Sequence, residues 1–173
     1  MKSLSLTLCL VLSCALFGAH GRVAAAAASP AAALGDTYTH AEGGIQFELP
    51  DGWKAEAEGD QLTVGPEDDS ISLVFWVPEG DTFDAAVEAL DEELAKTVKN
   101  VKLDGEPETD THNGMQHASV SGTGTVGGAQ VLFSVDVLMA KKPVIILTFA
   151  APGLFEKHLP ATQGLVKSIR KTA

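Results

Sequence analysis

The chain has 173 residues, with 12 Lys and Arg against 23 Asp and Glu and a formal net charge of −11. Such acidity repels nucleic acid and anionic lipid and leaves cations and basic proteins as admissible partners. Lys2 is followed by an apolar stretch from Leu4 to Phe17, with Ala19 and Gly21 suited to cleavage and a second candidate cut among Ala24 to Ala28; residues 1–28 therefore read as a signal peptide and leader.

That stretch is too short for a stable membrane anchor, which needs about 20 apolar residues. Val11-Leu12-Ser13-Cys14 invites comparison with a lipoprotein box, but Ala15-Leu16-Phe17 continues the apolar core where a polar tether would stand, so lipid anchoring through Cys14 is not expected. Both cysteines, Cys9 and Cys14, lie in the export segment. The exported domain then has neither disulfide nor thiol chemistry, although its compartment, periplasmic or extracellular, is oxidising. Without Lys2 and Arg22 it carries 10 basic against 23 acidic residues, a net of −13, on about 140 residues, the size of one domain. Residues 37–171 are assigned to that domain.

Thr37–His40 and Ile45–Leu49 read as paired strands joined at Gly43-Gly44, with Ile45, Phe47 and Leu49 alternating against Gln46 and Glu48. Pro50-Asp51-Gly52 forces a turn, after which Trp53 closes one end of the core. Gln61–Gly65 and Ser70–Val77 form the next strands; Leu73, Phe75 and Val77 face one way and Val74 and Trp76 the other, as expected of a strand covered on both sides. Thr82–Lys99 is an amphipathic helix carrying Phe83, Val87, Leu90, Leu94 and Val98 on one face. Asp81 or Thr82 caps its start, and Lys96 and Lys99 complement its end.

Strands return at Val101–Leu103, Glu108–His112, Met115–Thr123, Ala129–Ala140 and Val144–Ala150, with turns at Asn113-Gly114, Gly127-Gly128 and Lys141-Lys142-Pro143. A terminal helix is expected from Pro160 to Lys171, with Thr162, Leu165, Val166 and Ile169 inward and Phe155 and Leu159 extending the patch. The whole is an α+β domain: a mainly antiparallel sheet of six or more strands flanked by two amphipathic helices.

Gly44-Ile45-Gln46-Phe47-Glu48-Leu49-Pro50-Asp51-Gly52-Trp53 and the closing Leu165-Val166-Lys167-Ser168-Ile169-Arg170 resemble the PsbP-like superfamily, which includes photosystem II accessory proteins and bacterial DcrB-type exported relatives. The resemblance covers roughly Thr37 to Lys171. It implies a helix-flanked antiparallel sheet used mainly for binding or assembly, with no shared active site, and it assigns the matching residues, Trp53 included, structural roles; no cofactor is expected apart from the copper or zinc alternative weighed next.

Candidate chemistry gathers at one hairpin. A two-residue turn at Asn113-Gly114 puts His112 opposite Met115 and Asp110 opposite His117, all on one face. Asp110, His112, Met115 and His117 are borderline-soft ligands suited to copper or zinc; the plainer alternative is a polar strand face. Glu67-Asp68-Asp69 offers oxygen ligands to calcium but lacks the EF-hand pattern. Gly122-Thr123-Gly124-Thr125-Val126-Gly127 has the spacing of a dinucleotide fingerprint, yet it lies between two strands, with no helix N-terminus to receive phosphate. Ser119 or Ser121 with His117 and Asp110 would make a hydrolase triad only if the fold aligned them, and no nucleophile-elbow sequence is present. Val74 with Trp76 and Leu132 with Leu138 form apolar pairs that either pack under a helix or dock a partner. The sequence is thus read first as an exported, non-catalytic binding protein with a protein partner, second as a metal or small-ligand carrier, and third as a hydrolase.

Overall fold

The computed structural model describes residues 34–59 and 61–172. The export segment, its cleavage sites and both cysteines lie outside the described residues. Among the described residues, eleven strands and two helices follow in the order β1 (Leu34–His40), β2 (Ile45–Pro50), β3 (Trp53–Glu58), β4 (Gln61–Pro66), β5 (Ile71–Trp76), α1 (Phe83–Thr97), β6 (Lys99–Leu103), β7 (Glu108–His112), β8 (Met115–Val126), β9 (Ala129–Met139), β10 (Pro143–Ala150), α2 (Leu154–Ser168) and β11 (Arg170–Lys171).

The strands form two sheets rather than one. An eight-stranded antiparallel sheet has the order β3-β4-β5-β10-β9-β8-β6, with β7 also paired to β8, and a separate sheet has the order β1-β2-β11. The expected first hairpin therefore leaves the main sheet and lies across it. Phe47 of β2 stacks on Phe75 of β5 with ring centroids 4.7 Å apart and planes 9° from parallel, and Tyr38 stacks on Phe47 from the other side.

Two apolar layers hold the main sheet. On one face Val74, Phe133, Val135, Val137, Ile145 and Leu147 pack against Ala86, Leu90 and Val98, which belong to α1 and its C-terminal cap. On the other, Leu73, Phe75, Leu138, Val144 and Ile146 meet Ile45 and Phe47 of the small sheet and Leu165 of α2. Trp76 joins the first layer and Leu138 the second, so most of both apolar pairs is consumed by packing; Leu132 stays half-buried.

Helix α1 starts where its signals place it, with Thr82 as the N-cap and its Oγ1 accepting from Ala85 N at 3.2 Å, but it ends at Thr97, Lys99 opens β6, and Val87 of the expected inward face is exposed. Helix α2 departs from them. It begins at Leu154, six residues before Pro160, and Pro160 sits in its interior. A proline there has no N–H for the carbonyl of Glu156, and Glu156 is at the exposed surface. The helix also stops at Ser168 instead of continuing to Lys171. Arg170 and Lys171 pair with Gln46 and Ile45 as β11, and Thr172 N donates to Gly44 O at 3.0 Å. The open edge of β2 captures the segment that helical periodicity would have extended.

Strand β3 was not expected, because Lys54-Ala55-Glu56-Ala57-Glu58 is poor in β-branched residues. Pairing with β4 and its place at a sheet edge account for it. The two glycine-bearing hairpins close as expected: His112 pairs with Met115 across Asn113-Gly114, and Val126 pairs with Ala129 across Gly127-Gly128. All four turn residues have positive φ, the signature of the type I′ turn. Asn113 also donates from Nδ2 to Lys167 O at 3.1 Å and Ile169 O at 2.8 Å, which ties this hairpin to the end of α2.

Gly122 and Gly124 have a steric purpose. A Cβ at Gly122 would lie 2.6 Å from Lys102 O and 2.8 Å from the Phe133 ring, and one at Gly124 would collide with Val98 Cγ1. The glycine run gives β6 and the end of α1 a close approach to β8. Replacing Gly124→Ala should destabilise the domain by about 1–3 kcal/mol in urea unfolding, the usual cost of overpacking. Adding Val98→Ala should return part of that loss; strictly additive costs would mean that this contact is not the cause.

Candidate functional site

On the face of the main sheet that carries α2, the apolar layer gives way to polar residues toward β7. His117 of β8 stands between two carboxylates: its Nδ1 lies 2.6 Å from Asp110 Oδ1 on β7, and its Nε2 lies 3.0 Å from Asp136 Oδ1 on β9. His117 is buried, with 9% of its surface exposed, and the Asp136 side chain is 14% exposed against 70% for Asp110. Carboxylates on both ring nitrogens call for two N–H donors, which only the imidazolium has. The hydrogen bond to Asp136 is the largest influence on His117 and raises its pKa; burial opposes it, and Asp110 adds to the rise.

The register inferred from Asn113-Gly114 is the observed one, with Asp110 opposite His117 and His112 opposite Met115. The four residues nevertheless do not form one ligand set. Met115 is fully buried in the core layer beneath α2, because its face of β8 is already covered at that end. His112 lies beside His117, ring centroids 5.7 Å apart, but both His117 nitrogens already face carboxylates. Among the described residues no group of three or more His, Cys, Asp and Glu side chains is placed to hold a metal ion.

Asp136 was missed, although its signal lay in the sequence. The Gly127-Gly128 hairpin puts Ser119 opposite Asp136 and His117 opposite Leu138, so Asp136 is a diagonal same-face neighbour of His117. The triad of Ser119 or Ser121 with His117 and Asp110 fails for the same reason: the His117 nitrogen that would have to meet the serine is held by Asp136.

A second polar cluster was not legible in the sequence, since its parts are 88 residues apart. Ser70 Oγ lies 2.7 Å from Nε2 of His158 on α2 and also donates to Asp68 Oδ1. Ser70 N donates to that same oxygen at 3.1 Å. With the hydroxyl proton directed to Asp68, the His158 N–H donates to Ser70, which reverses the direction that nucleophile activation requires. Burial, then the neighbouring Lys157, lowers the His158 pKa, and Trp53 meets its ring edge-on at 6.1 Å. Asp68 and Asp69 pair with Lys157 and Lys54, both at 3.6 Å, so two of the three carboxylates that the acidic turn offers to calcium are engaged by lysines.

No family model matches the chain, and no curated protein matches it. Solved structures do. The cyanobacterial PsbP of Synechocystis aligns with a TM-score of 0.57 at 13% identity, over 87% of this chain and 99% of that one. A protein from Bacteroides thetaiotaomicron aligns with a TM-score of 0.56 at 10% identity, over 82% of this chain and 50% of its own length. LpqN of Mycobacterium tuberculosis, described as involved in cell envelope biogenesis, aligns with a TM-score of 0.52 at 13% identity, over 80% and 86%. The fold is PsbP-like.

The His117 pKa lies above that of an unfolded chain, about 6.5. Its stabilising contribution is therefore fully present below about pH 6.5 and lost as pH rises through the folded value. The native protein should exceed His117→Gln in stability by roughly 1–3 kcal/mol at pH 6, and the gap should narrow toward pH 9 in urea titrations. A gap that is constant or widens with pH would rule out the charged pairing.

Proposed function

We propose that this is an exported, non-catalytic accessory protein that docks a protein partner. The observation that carries the reading is that the polar clusters around His117 and His158 are satisfied internally. Both nitrogens of His117 are held by carboxylates, and the Ser70 hydroxyl is directed to Asp68, so neither histidine stands as an idle base against a serine. Support comes from the PsbP-like fold and from LpqN, whose description places it in cell envelope biogenesis. The apolar stretch from Leu4 to Phe17 supports export. Among the described residues no helix is long and apolar enough to cross a membrane.

A metal carrier is the second reading, favoured by the adjacent rings of His112 and His117 beside Asp110. It requires a carboxylate to release a His117 nitrogen, and it proceeds without Met115. Copper or zinc titration at neutral pH should then show a site that the His112→Ala, His117→Ala double variant lacks; equal binding by both proteins would end this reading.

For the docking role, the tagged protein should be crosslinked in its native cells, purified and its companions identified by mass spectrometry. One exported or membrane protein should be enriched over an unrelated exported control. No enrichment would overturn the docking reading, as would turnover of fluorogenic ester or peptide substrates above buffer background for the non-catalytic one.

A further inference from the structure

Strand β8 is longer than either partner on its outer side. Its Met115–Ser119 portion pairs with β7 and its Gly122–Thr125 portion with β6. Between them Asp104 N donates to Ser121 O at 3.0 Å. Residues 99–112 thus run antiparallel to β8 as one strand, interrupted at residues 104–107, and they form the outer edge of the main sheet. Among the described residues no strand pairs with this line from outside.

The direction of its free backbone groups follows from the hairpin. A two-residue loop makes His112 and Met115 a hydrogen-bonded pair, and the alternation continues through Asp110 with His117 and Glu108 with Ser119. The N–H and C=O groups of Thr109 and Thr111 therefore point away from β8. The bond from Asp104 to Ser121 similarly turns the backbone of Leu103 outward.

Every residue from 99 to 111 is exposed. Two large apolar residues at the surface, Val101 at 41% and Leu103 at 45%, stand on this edge. Edges are ordinarily guarded by lysines and bulges, and β6 has both: Lys99, Lys102 and a register shift at Asn100, whose φ is 53°. The β7 half has no lysine; its guards are Pro107 and the two extra residues that bulge between the Asp104–Ser121 and Glu108–Ser119 pairings, and beyond them Glu108–His112 runs in unbroken register. This half carries Asp104, Glu106, Glu108 and Asp110; among the described residues none of the four pairs with a lysine or arginine, and Asp110 meets only His117.

Building on the docking role proposed above, we infer that this edge is the docking surface and that its occupant is an extended basic segment of the partner protein. The segment adds a strand outside Leu103 and Thr109–Thr111. Main-chain bonds form to the outward groups of Leu103, Thr109 and Thr111, an apolar side chain covers Leu103, and lysines or arginines lie along Glu106, Glu108 and Asp110. Strand addition supplies the affinity, and the carboxylates select against acidic segments.

The test uses an eight-residue peptide of alternating lysine and valine, the same peptide N-methylated at every second backbone amide, and its glutamate-valine counterpart. Each is titrated into isotope-labelled protein, with amide shifts and hydrogen exchange as readouts. The unmodified basic peptide should shift Leu103, Thr109 and Thr111 saturably and slow exchange at the two threonine amides. N-methylation should weaken it at least about tenfold, and Leu103→Lys should weaken it as well. Equal binding of the two basic peptides, or shifts centred elsewhere, would overturn the inference, because charge attraction alone would then account for the binding. In cells, the Glu106→Lys, Glu108→Lys variant should lose the partner that the native chain retains. Equal capture by both proteins would refute the edge assignment alone; no capture by the native chain would refute the docking role beneath it.

Discussion

Val74 and Phe75 are adjacent on one strand, point to opposite sides of the sheet, and are both buried. The same holds for Ile145 and Ile146 of β10 and for Val137 and Leu138 of β9. A strand occluded on both faces cannot expose either set of side chains, so the chain must supply two covers. Helix α1 is one of them. The other is composite: α2 and the small sheet share the opposite face, and the stack of Phe47 on Phe75 marks their junction with β5. Position along the sheet relative to these covers sets the environment of every other residue.

The composite cover is closed by small polar contacts. Ser168 Oγ accepts from Glu48 N at 2.8 Å and donates to Leu165 O, while the Asn113 amide holds the Lys167 and Ile169 carbonyls. These bonds satisfy carbonyls that the end of a helix leaves without partners. They also join three distant segments: the first hairpin, the β7–β8 turn and the C-terminus. Of the residues that carry the PsbP-like resemblance, Glu48, Leu165, Lys167, Ser168 and Ile169 lie in this closure.

Where the cover ends, the same sheet face turns polar. Asp136 is mostly buried and would be costly to leave unpaired; His117 reaches it from the next strand and reaches Asp110 with its other nitrogen. The arrangement links β7, β8 and β9 through one imidazole ring. Its chemistry is directed inward, toward holding strands together. The outward-facing possibilities fall to the backbone of the sheet edge, where β6 and β7 leave hydrogen-bonding groups open beside unpaired carboxylates.

The sequence by itself determined what depends on neighbours a few residues apart. Phe83, Leu90 and Leu94 recur at helical spacing and specify α1. Asn113-Gly114 and Gly127-Gly128 impose positive φ, which sets the register of β7, β8 and β9 and, with it, the Asp110–His117–Asp136 alignment. Tertiary structure alone decided what depends on the availability of a distant partner. Arg170 and Lys171 became a strand because β2 offered an open edge, and Lys54–Glu58 became one because β4 did. Met115 became core because α2 and the small sheet cover its end of β8, and Ser70 met His158 because α2 packs across β5. Local spacing encodes backbone geometry; it carries no record of which side of a strand another element will cover.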